Sequence, residues 1–193
     1  PVLDLACGAG RHTRLFLERG HPVTAVDIDV SGLDDLRAHP QLEIVQADLE
    51  DGSPWPLPGR RFGAVVVTNY LWRPLFAPIL DALDDGGVLL CETFARGTEV
   101  YGRPTNPDFL LEPGELLEVV RGRLQIVAYE HGYLDQPRPA VSSACARPAP
   151  RRPCRSGRGL QPTASRRDRF PRQMPGPGRL THPPDGTSHG PRR

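Results

Sequence analysis

The sequence predicts an α/β domain of three layers, a mostly parallel sheet covered on both faces by helices, followed by a tail that does not fold. Three observations carry this. Short apolar runs alternate with helical stretches of about ten residues, the pattern of right-handed βαβ crossovers. Residues 62–68 hold Ala-Val-Val-Val, the continuous β-branched character of a strand buried on both faces. The composition also breaks sharply. Residues 1–136 carry 11 Arg against 21 Asp and Glu, whereas residues 137–193 carry 13 Arg against 2 Asp. The near-neutral total of +1 over 193 residues, with no Lys, therefore joins an acidic part to a basic one.

The elements follow in order. Residues 2–6 are an apolar run ending in the glycine turn Cys7-Gly8-Ala9-Gly10. A helix is expected over 11–19, stopped by Gly20. Residues 23–26 form a second strand, ending at Asp27. Ser31 caps a predicted helix reaching Ala38, and a third strand covers 42–46. After a Pro-rich loop comes the fourth strand, 62–68, then a helix over 74–83 opened by Pro74. Gly86-Gly87 punctuates the chain before a fifth strand, 88–93. A helix over 113–121, a sixth strand at 125–129 and a weak seventh at 141–146 complete the domain, placed at residues 1–147.

The remaining residues, 148–193, read as disordered. From residue 137 onward the chain holds 12 Pro and 6 Gly with few large apolar residues. Ordering a residue costs roughly 1–2 kcal/mol, which so little apolar surface cannot offset. Pro, Arg, Gly, Ala and Ser are also what GC-rich DNA encodes in a shifted frame, so a frameshifted tail, a true linker and a nucleic-acid arm stand as alternatives. Phe170 is the segment's one aromatic residue, which argues against a base-stacking arm. The chain opens without Met directly in a core strand, and an N-terminally truncated domain is the expectation. No apolar run approaches the length of a membrane-spanning helix, and no basic region followed by an apolar stretch marks a signal peptide. Four Cys without Cys-x-x-Cys spacing fit a reducing cytoplasm and argue against zinc; no metal is expected.

Parallel sheets bind ligands at the carboxyl ends of their strands. At the first such end, Gly8 and Gly10 permit a tight turn and close approach of a ligand. The helix that follows offers free N–H groups. Asp27 ends the second strand, placed to accept two hydrogen bonds from vicinal ribose hydroxyls. Asp48 follows the third, placed to take the amino group of an adenine, with Ile28 and Leu49 against its faces. Read singly, each is a turn or cap residue. Together, Asp4, Asp27 and Asp48 are expected around one cleft, suited to a ligand with a ribose and an amine. They would repel a pyrophosphate, and Thr13 stands where a dinucleotide fold needs a third glycine. A nicotinamide enzyme is thereby disfavoured.

Residues 2–12, Val-Leu-Asp-Leu-Ala-Cys-Gly-Ala-Gly-Arg-His, resemble motif I of the class I S-adenosylmethionine (SAM)-dependent methyltransferases. Residues 23–29 resemble motif II, Ala47-Asp48-Leu49 motif III, 62–71 motif IV, and 85–89 the turn into strand five. The nearer resemblance is to small bacterial tellurite-resistance-type methyltransferases, through Cys-Gly-x-Gly-Arg and Pro113-Gly114-Glu115-Leu116. The resemblance implies a Rossmann-like methyltransferase fold, SAM as cofactor and a small-molecule acceptor. It places Asp4, Ala6, Cys7, Gly8, Gly10, Asp27, Ile28, Asp48, Leu49 and Asn69 at the cofactor.

The sulfonium makes the methyl carbon electrophilic, so alignment supplies most of the acceleration. No nucleophilic triad is needed, and no catalytic residue is assigned. Tyr70, Trp72 and Arg73 are candidates for the acceptor pocket, against core packing for Trp72 and helix capping for Arg73. The long connection over 92–111 contributes Tyr101, Arg103 and Asn106 as further candidates. Glu92 and His12 are each a base or a structural group. An RNA or protein methyltransferase, and a catalytically impaired SAM-binding fragment, are the alternative functions. The acidic balance of residues 1–136 argues against a polyanionic acceptor.

Overall fold

The computed structural model describes residues 1–136 and 139–148. Seven strands form one sheet in the order β3-β2-β1-β4-β5-β7-β6. They are β1 (Val2–Leu5), β2 (Val23–Asp27), β3 (Leu42–Gln46), β4 (Phe62–Thr68), β5 (Leu83–Phe94), β6 (Ala128–Leu134) and β7 (Ala140–Pro148). The first five run parallel, and β7 pairs antiparallel with both β5 and β6. The chain moves outward from β1 to β3, then restarts on the other side of β1 at β4. The strand order therefore reverses between β1 and β4, where an open α/β sheet places its ligand crevice.

Three α-helices cover the sheet: α1 (Arg11–Glu18), α2 (Phe76–Asp81) and α3 (Glu115–Val120). On one face Leu17 of α1 packs with Val2, Val23 and Val66. On the other, Ile79 and Leu80 of α2 and Leu116 and Val120 of α3 bury Leu3, Leu5, Val65, Val67, Leu89 and Cys91. Every residue of β1 is buried, as a central strand with helices on both sides requires.

Several expected boundaries differ. The segment expected as a helix from Ser31 is a 3-10 turn, Ser31–Leu36, and the Ser31 side chain does not cap it. Its N–H instead donates to Asp29 Oδ1 at 2.9 Å. Gly32 lies so close to the first turn that a Cβ would sit 2.8 Å from Ala9 Cα, which leaves room for a short element only. The helix expected over 74–83 is a 3-10 turn, Arg73–Leu75, followed by α2. β5 begins at Leu83, before Gly86-Gly87. Between the pairs Phe62↔Leu83 and Ala64↔Val88 the register shifts, so the two glycines sit in a bulge of the strand. A Cβ on Gly87 would lie 2.9 Å from the Phe62 carbonyl oxygen.

The sixth strand, expected at 125–129, is Ala128–Leu134. Ile126 and Val127, the apolar pair that suggested it, are exposed, and the pairing with β7 sets the register instead. The weak seventh strand is a long one inserted between β5 and β6. Pro148, assigned to the tail, closes β7; the rest of the predicted disordered segment, 149–193, lies outside the described residues. Among the described residues no helix is long and apolar enough to cross a membrane.

Candidate active site

The turn after β1 is left-handed at Ala6 (φ 55°), Gly8 (φ 53°) and Gly10 (φ 78°). Gly10 is needed twice over, since a Cβ there would lie 2.1 Å from Leu33 Cδ2. Around Gly8 a Cβ would meet nothing within 4 Å, so its bare side is open. The Gly8 N–H donates to Asp27 Oδ2 at 2.7 Å, and the Asp29 N–H to Asp27 Oδ1 at 3.0 Å. The turn after β1 and the tip of β2 are thus fastened through one carboxylate. Asp48 takes the Glu50 N–H on Oδ1 at 2.9 Å, which leaves its other oxygen without a bond among the described residues.

Asp27 and Asp48 rim a cavity of about 380 Å³, with Ala6, Ile28, Leu49 and Tyr70 in its walls. Ile28 is 59% exposed, an apolar side chain at the mouth. A second cavity, about 340 Å³, includes Arg11, Thr68, Asn69, Glu92, Gln136 and Ser142. A third, about 280 Å³, includes Glu50, Asn69, Tyr70, Phe94, Pro104 and Phe109. Asn69, itself left-handed (φ 56°), belongs to the second and third, and Tyr70 to the first and third. The three adjoin along the carboxyl ends of the strands. The Tyr70 hydroxyl is shielded from solvent and makes no hydrogen bond of good geometry among the described residues. Burial, and then the nearby Glu50, Asp48 and Asp27 carboxylates, push its pKa above the ordinary phenol value. His12 Nδ1 lies 3.3 Å from Thr68 Oγ1, which joins the start of α1 to the end of β4.

Two residues expected at the cofactor, Asp4 and Cys7, are not among the residues that line these cavities. Asp4 is 2% exposed and accepts a hydrogen bond from the Thr13 hydroxyl at 2.6 Å. Burial raises its pKa above the ordinary 3.8, against the lowering effect of the Thr13 bond. The expectation of three carboxylates around one cleft is therefore corrected: two rim the cavity, and Asp4 clamps β1 to α1 beneath the turn. Thr13, noted only as a missing glycine, is its partner. Cys7 packs with Ala25 and Leu33. Burial, with the Asp4 and Asp27 charges adding to it, pushes the Cys7 thiol up to about 12, so it is a packing residue without thiolate character.

Five expected acceptor candidates lie away from these walls. Arg73 donates to Glu115 at 2.7 and 2.9 Å and to the carbonyls of Asp108 and Leu110 at 2.6 and 2.9 Å. Its guanidinium is fully engaged in tying the long connection to α3. The Tyr101 ring rests on Tyr133 with centroids 5.1 Å apart. Asn106 accepts from the Asp108 N–H at 3.0 Å and opens the 3-10 turn Pro107–Phe109. Arg103 is exposed. Trp72 packs against the main core. From the same connection Glu92, Thr93, Phe94, Pro104 and Phe109 line the cavities. Gln136 and Ser142 escaped sequence reasoning because they come from the antiparallel β6–β7 region, where no strand-tip rule points.

Residues 2–87 match the model of a methyltransferase domain. A trans-aconitate 2-methyltransferase of Rhizobium etli is 30% identical over 76% of this chain and 55% of its own length. That of Sinorhizobium medicae is 36% identical over 46% of this chain and 36% of its own. The chain thus spans about half or less of the curated relatives it matches. The crystal structure of TehB from Haemophilus influenzae superposes with a TM-score of 0.61 at 18% identity, over 77% of this chain and 57% of that one. Over residues 2–87 the chain is thus similar to a methyltransferase domain, and its strand order is carried on the fold that the superposed structure shares.

Proposed function

We propose that the protein is a SAM-dependent methyltransferase acting on a small-molecule acceptor. One observation carries the reading: Asp27 and Asp48, at the tips of successive parallel strands, share a cavity beside the open glycine turn. The residues fit the cofactor. Each Asp27 oxygen already takes one backbone N–H, which fixes the carboxylate, and a carboxylate has about four lone-pair sites, so acceptors remain for ribose hydroxyls. Asp48 keeps an oxygen for an amino group, and Ile28 and Leu49 offer apolar surfaces for a purine.

When bound there, SAM supplies an electrophilic methyl carbon. The chain's own part is to orient and to exclude water. The turn at Gly8 lets the ligand approach the backbone, Tyr70 stands between this cavity and the third, and Asn69 between the third and the second. The acceptor belongs in those neighbouring cavities. Trans-aconitate, named for the curated relatives, is the reference acceptor. A bacterial cytoplasmic setting is part of the proposal, in keeping with the scattered spacing of the cysteines in the sequence. So is a folded unit ending at β7, with 149–193 dispensable for binding.

Calorimetry with S-adenosylhomocysteine (SAH) tests the reading. The protein should bind it, and Asp48→Ala, which loses only the bond to the Glu50 N–H, should weaken binding by about tenfold or more with a smaller fall in Tm than Asp27→Ala. Absence of heat with the intact chain rejects the proposal.

A further inference from the structure

We infer that the methyl acceptor is a flat ring compound, uncharged or cationic, seated against Tyr70 and Phe109 in the third cavity. The inference rests on the methyltransferase reading and adds the acceptor's chemical class. The walls supply the argument. Tyr70, Phe94 and Phe109 bring three aromatic rings to a space of about 280 Å³, and Pro104 a fourth flat surface. Aromatic faces hold other rings by offset or edge contact, worth about 0.5–1.5 kcal/mol beyond the area buried. Polar groups are few and placed for orientation: Glu50, Asn69 and Thr93.

Charge then selects among ligands. Among the described residues Glu50 is the one charged side chain in this lining. Arg73 is held by Glu115 and Arg96 by Glu112, and Arg103, next to Pro104, is exposed and is not part of the lining. Arg11 faces the neighbouring cavity, which also holds Glu92. A polycarboxylate would bring like charge to Glu50, a repulsion that disfavours such a ligand in this cavity. A ring N–H, amino group or hydroxyl would instead donate to Glu50 or to the Asn69 carbonyl.

Position supports the same ligand. The cavity shares Tyr70 and Glu50 with the one rimmed by Asp27 and Asp48, so an acceptor here lies beside the cofactor site without occupying it. The Tyr70 hydroxyl is shielded from solvent beside the Glu50 carboxylate, and both residues line the two cavities. The expected acceptor thus differs in class from the compound in the curated relatives' name.

The test uses the full chain saturated with SAH. Indole and quinoline are titrated against trans-aconitate and citrate by calorimetry and by ligand-observed saturation-transfer NMR. Indole or quinoline should bind with Kd below about 1 mM. Phe109→Ala should weaken that binding about fivefold or more, with SAH affinity held within about twofold. Binding of trans-aconitate more tightly than either ring compound overturns the inference. So does binding of neither ring compound, or ring binding indifferent to Phe109→Ala. Failure of SAH itself to bind would instead overturn the methyltransferase reading, and this inference with it.

Discussion

Gly8 and Gly10 stand two positions apart in one turn, yet an added methyl group should affect them unequally. At Gly8 the cost is the left-handed backbone alone, about 1 kcal/mol. At Gly10 it is that strain plus overlap with Leu33, about 2–4 kcal/mol in total. Urea denaturation of the two alanine variants separates them, and equal losses would show that Leu33 yields freely. Asp4 gives a pH signature. Its folded pKa is raised, chiefly by burial, so its contribution to stability is fully present below the ordinary 3.8 and is lost as pH rises through the folded value. Asp4→Asn keeps an oxygen for Thr13 and removes the titration. The stability of the natural protein relative to this variant should therefore fall as pH rises above about 4, read by denaturation from acid to neutral. A flat difference would mean that Asp4 is not perturbed. At this scale the sequence was informative where chemistry follows from a strand tip, as for Asp27 and Asp48. It was silent where two residues act on each other across a turn, as Thr13 does on Asp4.

At the scale of elements, the connection from β5 to α3 is held by Arg73. The guanidinium makes a fork to Glu115 and reaches two carbonyls, which Lys cannot reproduce. Arg73→Ala should cost about 1–2 kcal/mol, the pair being only partly shielded from solvent. It should also speed amide exchange at residues 104–112, where Pro104 and Phe109 line the third cavity. Arg73→Lys should not restore protection; if it does, the fork is immaterial. Five parallel strands were legible because apolar runs recur between turn signals. The start of β5 was not, because Gly86-Gly87 reads as a stop, whereas the strand takes up both glycines in a bulge against Phe62. β6 was misplaced because its register is set by β7, a partner distant in the chain, and not by its own apolar pair.

For the whole molecule, charge separates along the chain, acidic through residue 136 and basic beyond it. If the folded unit is complete at β7, residues 1–148 alone should bind SAH within about twofold of the full chain. A larger loss, measured by calorimetry on both, would tie the basic segment to the site. The fold class was readable from the alternation of elements, while the position of β7 was not, because order within a sheet is a property of pairing across distant segments. That position has a consequence for synthesis. β7, the last strand of the described residues, lies inside the sheet between β5 and β6. A nascent chain that ends before residue 140 can lay down β3-β2-β1-β4-β5, but it leaves β5 with an open edge and β6 without its β7 partner. Unpaired edges invite association with other chains. A ribosome stalled between β6 and β7 would therefore release an aggregation-prone product, and translation through this interval is the step most exposed to loss of protein.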